Sequence, residues 1–179
     1  MTGRSRRYLR GQGGYTLVEV IIASAIGAIL MAGLTSVIMT SVHAGITASS
    51  RIETSSQIRS FQFFAYDDFA RSAVPDPSGC GTVDDPCTTE PIELSGQQVP
   101  NSTKPVPAPY RVSYTWDGTS FLDRRSNANP AAHAAVNVTL FSWYVDGTAP
   151  NQTVVVSMTV TVRSYSESQT LRFYPRVDP

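Results

Sequence analysis

The sequence predicts an α+β fold, with a long N-terminal helix packed on a C-terminal antiparallel β-sheet. Three observations predict it. Tyr15 to Val42 is almost wholly apolar; His43 to Val74 turns polar but keeps Ile58, Phe61, Ala65 and Phe69 at helical spacings of three and four; and from Tyr110 onward apolar and polar residues alternate. A chain of 179 residues can hold one globular head beyond such a helix, and hardly two separate cores.

Residues 1–14 are polar and basic, carry Arg4, Arg6, Arg7 and Arg10, and close on Gly11-Gln12-Gly13-Gly14. The apolar run then starts abruptly. Its 28 residues would span roughly 42 Å as a helix, more than a hydrocarbon core of about 30 Å. Four arginines on one flank hold that flank in the cytoplasm and place the rest of the chain outside it. A secretory signal has a shorter apolar stretch with the small-residue cleavage site after it. Here the small residue, Gly14, comes first, so a cut there keeps the helix as the new N-terminus. The expected segments are a leader (1–14), a membrane and assembly helix (15–42), an amphipathic stem (43–74) and a β head (75–179).

Glu19 is the only charged residue between Tyr15 and Val42. A carboxylate within a membrane segment costs on the order of 2.5 to 3.5 kcal/mol, so it needs a partner or a task. A cut after Gly14 frees an amine on Tyr15, one helical turn away, and neighbouring helices offset along an axis could pair carboxylate with amine. The competing reading is a signal anchor whose Glu19 snorkels to the interface.

Gly14-Tyr15-Thr16-Leu17-Val18-Glu19-Val20-Ile21-Ile22-Ala23 resembles the processing motif of type IV prepilins and type II secretion pseudopilins. The resemblance implies a pilin-like fold and a structural role without a cofactor. A prepilin peptidase would cut between Gly14 and Tyr15 and methylate the Tyr15 amine, and Glu19 would guide entry into the filament. The implied partners are other pilin or pseudopilin subunits, the peptidase, an inner-membrane assembly platform and membrane lipid. The site would be the bacterial cytoplasmic membrane, and the cell-surface filament after assembly. Tyr15 departs from the usual phenylalanine but keeps the ring.

No proline interrupts Tyr15 to Val74, so one helix is expected to run to the break before Pro75 and Pro77. Ala23 and Gly27 form a small-xxx-small pair suited to close helix approach in lipid. Beyond the stem, a loop is expected from Pro75 to about Pro91 and a proline-rich run from Pro100 to Pro109. Strands follow at Tyr110–Trp116, after the Asp117-Gly118 turn at Thr119–Arg124, at Val136–Val145, and at Val154–Val162, with Leu171 and Phe173 on a last edge strand. Phe64 to Ala73 with Asp68, the Tyr114-x-x-Asp117-Gly118 turn followed by Leu122-Asp123-Arg124, and the hydrophobic strand near Phe141 resemble W-type minor pilins and J-type minor pseudopilins, which implies a low-copy subunit.

Cys80 and Cys87, with six residues between them in a turn-rich stretch, suit a disulfide in an oxidising compartment, with two free thiols as the alternative. Zinc is disfavoured because His43 and His133 are distant in sequence. No catalytic constellation and no metal set can be assembled. Asp67 and Asp68 read as a solvated face and a stem-to-head contact, and Asp84 and Asp85 lack a calcium-loop pattern. The 14 basic and 14 acidic residues balance, but without the four leader arginines 10 remain against 14, a net charge of −4. That argues against general nucleic-acid binding, which relies on many phosphate contacts. Arg124, Arg125, Arg163, Arg172 and Arg176 could form a basic face for DNA capture, with scattered solvated arginines as the preferred reading. A single-span surface receptor that never polymerises is the alternative from another functional class.

Overall fold

The computed structural model describes residues 14–76, 79–98, 108–127 and 129–175. The leader up to residue 13, Pro77, Pro100, Pro105, Pro107 and Arg176 lie outside them. Helix α1 spans Leu17–Ala70 without a break. Seven strands follow: β1 (Ile92–Gln98), β2 (Ala108–Trp116), β3 (Phe121–Ser126), β4 (Ala132–Val136), β5 (Val138–Asp146), β6 (Thr153–Val162) and β7 (Tyr165–Phe173). All pairing is antiparallel, so the α+β class holds.

The chain divides into two compact units, one up to Gly45 and one from Ile46 onward. In the first, every large apolar side chain of α1 is exposed, from Leu17 through Val42. Its most apolar window has a mean hydropathy of 2.3 and no residue buried. This is one helix long and apolar enough to cross a membrane. Its few hydroxyls bond inward: Ser24 donates to the Ile21 carbonyl (2.9 Å), Thr35 to Met31 (2.8 Å) and Thr40 to Ser36 (2.9 Å). Such back-bonding lets a polar side chain sit in hydrocarbon with its donor satisfied.

In the second unit α1 buries the stripe Ser50, Thr54, Ile58, Phe61, Ala65, Asp68 and Phe69. Its four apolar members are those the sequence spacing selects; the rest are two small hydroxyls and one carboxylate. The helix stops at Ala70, four residues short of Val74. The cause is a pairing: the Ser72 hydroxyl donates to the Asp68 carbonyl (2.8 Å), and Ser72 and Ala73 then lie along β1, with Ala73 N donating to the Ser95 carbonyl at 2.8 Å. Gly96 is required there, since a Cβ on it would lie 2.1 Å from the Arg71 carbonyl oxygen.

The head is two sheets, β1-β2-β3-β4 and β5-β6-β7, rather than one meander. The expected strand from Val136 to Val145 is broken at Asn137, whose φ of 60° is left-handed and turns the chain from one sheet into the other. Val138 N then donates to the Ser120 carbonyl, and the Trp116 indole to the Val138 carbonyl (3.2 Å), tying the sheets at the crossing. β1 and β4 occupy stretches to which the sequence assigned no strand, and β7 begins six residues before Leu171. The β2–β3 hairpin turns at Asp117-Gly118, with Gly118 at φ 80°.

The core lies where both sheets meet the stem. Val154, Val156, Met158, Val160 and Val162 of β6 are all buried, as their alternation predicts. Phe61, fully buried, sets its ring edge-to-face against Tyr114 of the first sheet (5.4 Å) and against Phe141 (6.3 Å) and Phe173 (6.0 Å) of the second. Phe69 stacks on Phe173 at 4.4 Å.

Candidate functional site

Two places carry polar groups that the fold does not explain by solvation alone: the start of α1, and the contact between the stem and the first sheet. At the helix start Gly14, Tyr15 and Thr16 are non-helical and exposed, Tyr15 by 82 %. Thr16 caps the helix: its Oγ1 accepts from Glu19 N at 3.3 Å, and its carbonyl accepts from Val20 N at 3.2 Å. Thr16-x-x-Glu19 thus has the spacing of a capping box, and Glu19 lies in the first turn, where the helix dipole favours an anion. This local role for Glu19 was legible in the sequence as S/T-x-x-E and was missed there. Gly14, Gly27 and Gly33 each have open space where a Cβ would sit, which leaves their surfaces free for close approach.

At the second place Asp68, 1 % exposed, is enclosed by donors from two strands. Arg124 on β3 binds it with both arms of the guanidinium, Nε to Oδ2 at 2.7 Å and a terminal nitrogen to Oδ1 at 2.8 Å. The hydroxyls of Tyr110 and Tyr114 on β2 donate to Oδ1 and Oδ2. Arg124 also lies over the Phe64 ring, 5.3 Å from its centroid. Four hydrogen bonds, two of them from the bidentate guanidinium, satisfy the carboxylate, and among the described residues no buried polar side-chain atom lacks a partner.

The pairing of adjacent aspartates therefore separates. Asp67 is exposed and binds Arg71 at 2.7 Å, one helical turn on; Asp68 turns inward. The expected solvated face is Asp67, and the expected stem-to-head contact is Asp68. Asp68 falls seven residues after Phe61 and three after Ala65, so the buried stripe could have identified it.

Burial, and then the hydrogen bond to Asp68, push the Tyr110 hydroxyl up to about 12; burial and the Asp68 charge push Tyr114 up further. A tyrosine in an unfolded chain titrates near 10. The neutral hydroxyls are the forms the fold favours, so their stabilisation is complete below about pH 10 and fades as the pH rises through the folded values. Phenolate absorbance of the native protein should show two of the tyrosines silent at pH 11, and Tyr110→Phe should remove one of the two delayed steps.

The other candidate residues are scattered. Cys80 and Cys87 are joined as a disulfide with Cα atoms 5.1 Å apart. The loop they close lies along the outer edge of β5: Cys87 exchanges both backbone hydrogen bonds with Trp143 (2.8 and 2.9 Å), and Val145 N donates to the Gly81 carbonyl (2.9 Å). Asp85 folds back on Gly81 and Thr82 within that loop, and among the described residues no three His, Cys, Asp or Glu side chains gather as a metal set. His133 pairs with Asp123 at 2.6 Å and stacks on Phe121 in the open. The arginines do not form one basic face. Arg124 is consumed by Asp68, Arg172 by Asp146 at 2.9 Å, Arg163 sits in the β6–β7 turn, and Arg125 faces outward from the first sheet.

A family profile described as the prokaryotic N-terminal methylation motif matches residues 9–35, which cover Gly14, Tyr15, Glu19 and the exposed apolar half of α1. No curated protein and no solved structure matches the chain. The motif belongs to a structural family whose members associate with pilin subunits and their processing machinery, anchor in a membrane and assemble at the surface. With that motif on a long apolar helix carried by antiparallel sheets, the chain is a type IV prepilin-like protein.

Proposed function

We propose that this chain is a minor subunit of a type IV pilus or pseudopilus, cut after Gly14 by prepilin peptidase, methylated on Tyr15 and assembled through α1. The observation that carries the reading is the helix surface from Leu17 to Val42, a predominantly apolar stretch whose large apolar side chains are all exposed. Such a surface needs lipid on every side before assembly and other helices after it. The mature chain would sit in the cytoplasmic membrane with its head outside, deliver its helix to an assembly platform, and form its disulfide in that oxidising space.

The minor subtype draws support from the Asp68 cluster. Three of the sequence segments resembling minor pilins and pseudopilins supply Asp68, Tyr114 and Arg124, which meet in one network. They act as one device for seating the stem, not three separate likenesses.

One observation favours the signal-anchor alternative, in which the chain inserts and stays a monomeric surface protein: Glu19 lies in the first turn of its own helix, three residues after the Thr16 cap, where the helix dipole favours its charge without a neighbouring amine. Glu19→Gln separates the two, because glutamine can serve a capping box but carries no charge. The pilin reading expects Glu19→Gln to enter the membrane normally and to fall at least tenfold in the sheared filament fraction. Filament incorporation equal to the native chain would leave Glu19 as a cap alone.

A further inference from the structure

The outward face of the first sheet holds a groove of about 510 Å³. Leu94, Val112 and Tyr114 point into the core, so alternate residues of the same strands point out: Glu93 and Ser95 on β1, Arg111 and Ser113 on β2, Arg125 on β3. Register places Glu93, Ser113 and Arg125 in one row and Ser95 beside Arg111 in the next. Ser113 thus has Arg111 two residues along its own strand and Arg125 directly across on β3, and Asp76 also lines the groove.

Arg111 and Arg125 have no ion-pair partner among the described residues, whereas Arg71, Arg124 and Arg172 each have one. Two unpaired forks converging on a groove are suited to a carboxylate, which each can bind through two parallel hydrogen bonds. Asp76 and Glu93 set the rest of the ligand. They repel a chain of closely spaced phosphates, and they accept hydrogen bonds from hydroxyls, as the two serines also can. An extended peptide is poorly served, because the edge of β1 that it would extend is already paired with Ser72 and Ala73. A ligand with one carboxylate amid many hydroxyls meets every one of these groups.

We infer that this groove recognises an acidic sugar of the uronic acid class, held by Arg111 and Arg125 at its carboxylate and by Glu93, Ser95 and Ser113 at its hydroxyls. The inference concerns the head alone and stands whether or not α1 enters a filament.

The test is titration of the full chain in detergent micelles with trigalacturonate, followed by calorimetry. Maltotriose, N-acetylglutamate and inorganic phosphate serve as the neutral-sugar, carboxylate and anion controls. Trigalacturonate should bind at least tenfold more tightly than each control. Arg111→Gln and Arg125→Gln should each weaken it about tenfold, and Glu93→Gln should weaken it while improving phosphate. Absence of saturable binding, a control that binds as well, or arginine variants with native affinity would each overturn the assignment. Both arginines are exposed, and if Arg125→Gln alters the melting curve, Arg111→Gln alone decides.

Discussion

Asp68→Ala is expected to destabilise the head by about 3 kcal/mol, the low end of the cost of breaking a buried ion pair, because Arg124 keeps 22 % of its side chain in water. Removing the carboxylate leaves a cation and two tyrosine hydroxyls without an acceptor, and unmet donors cost more than the bonds themselves contributed. The readout is the urea midpoint of the detergent-solubilised chain, followed by near-ultraviolet circular dichroism from Tyr110 and Tyr114. The double variant Asp68→Ala with Arg124→Ala should lose much less than the sum of the singles, since the second change removes the charge the first one stranded. A single-variant loss below about 0.5 kcal/mol, the usual range for surface sites, would mean that the network does not seat the stem.

Phe61→Ala is expected to cost about 3 to 5 kcal/mol, as for other buried aromatics cut back to a methyl. Its ring is where the stem, the first sheet and the second sheet meet, and the cavity left behind would open onto Tyr114, Phe141 and Phe173 together. Relaxation of one sheet into that space would pull it from the other, so the site cannot collapse cheaply. Phe63, two residues on and 78 % exposed, is the control. Phe63→Ala should leave the urea midpoint within about 0.5 kcal/mol of native. Equal effects at both positions would contradict the placement of the core.

The contrast between these two phenylalanines shows what a sequence of this kind discloses. Helical spacing assigned Phe61 to the buried face, and strict alternation assigned β6, because a face buried against one neighbour imposes its period on the chain. Elements determined by contacts remote in sequence stayed hidden. β1 carries only Ile92 and Leu94 before Ser95-Gly96-Gln97, and its glycine is demanded by the Arg71 carbonyl from the end of α1. β4 is Ala132-His133-Ala134-Ala135-Val136, poor in strand-forming residues, and exists because β3 pairs with it. β7 reads as polar from Tyr165 to Thr170 since its outer face is a hydroxyl ladder: Ser166 meets Thr161, Ser168 meets Thr159, and Thr170 meets Ser157. Asn137 has no signal beyond its tolerance of a left-handed backbone, yet it decides whether the head is one sheet or two.

The helix start was the most legible part of the candidate site. An abrupt polar-to-apolar boundary, a glycine before it and one carboxylate after it are local features. The Asp68 cluster was legible only in pieces, since its four residues are brought together by two strands and a helix. What the structure added at the helix start is the cap at Thr16, which sets Glu19 in the first turn, where the helix dipole favours its charge.

The central claim is that this helix is released as a new N-terminus. Intact-mass and N-terminal peptide mass spectrometry of the chain from the membrane fraction of cells carrying prepilin peptidase tests it most directly. The account predicts a mature chain beginning at Tyr15 and carrying one added methyl group on its amine. A chain that retains residues 1–14 in those cells would contradict it.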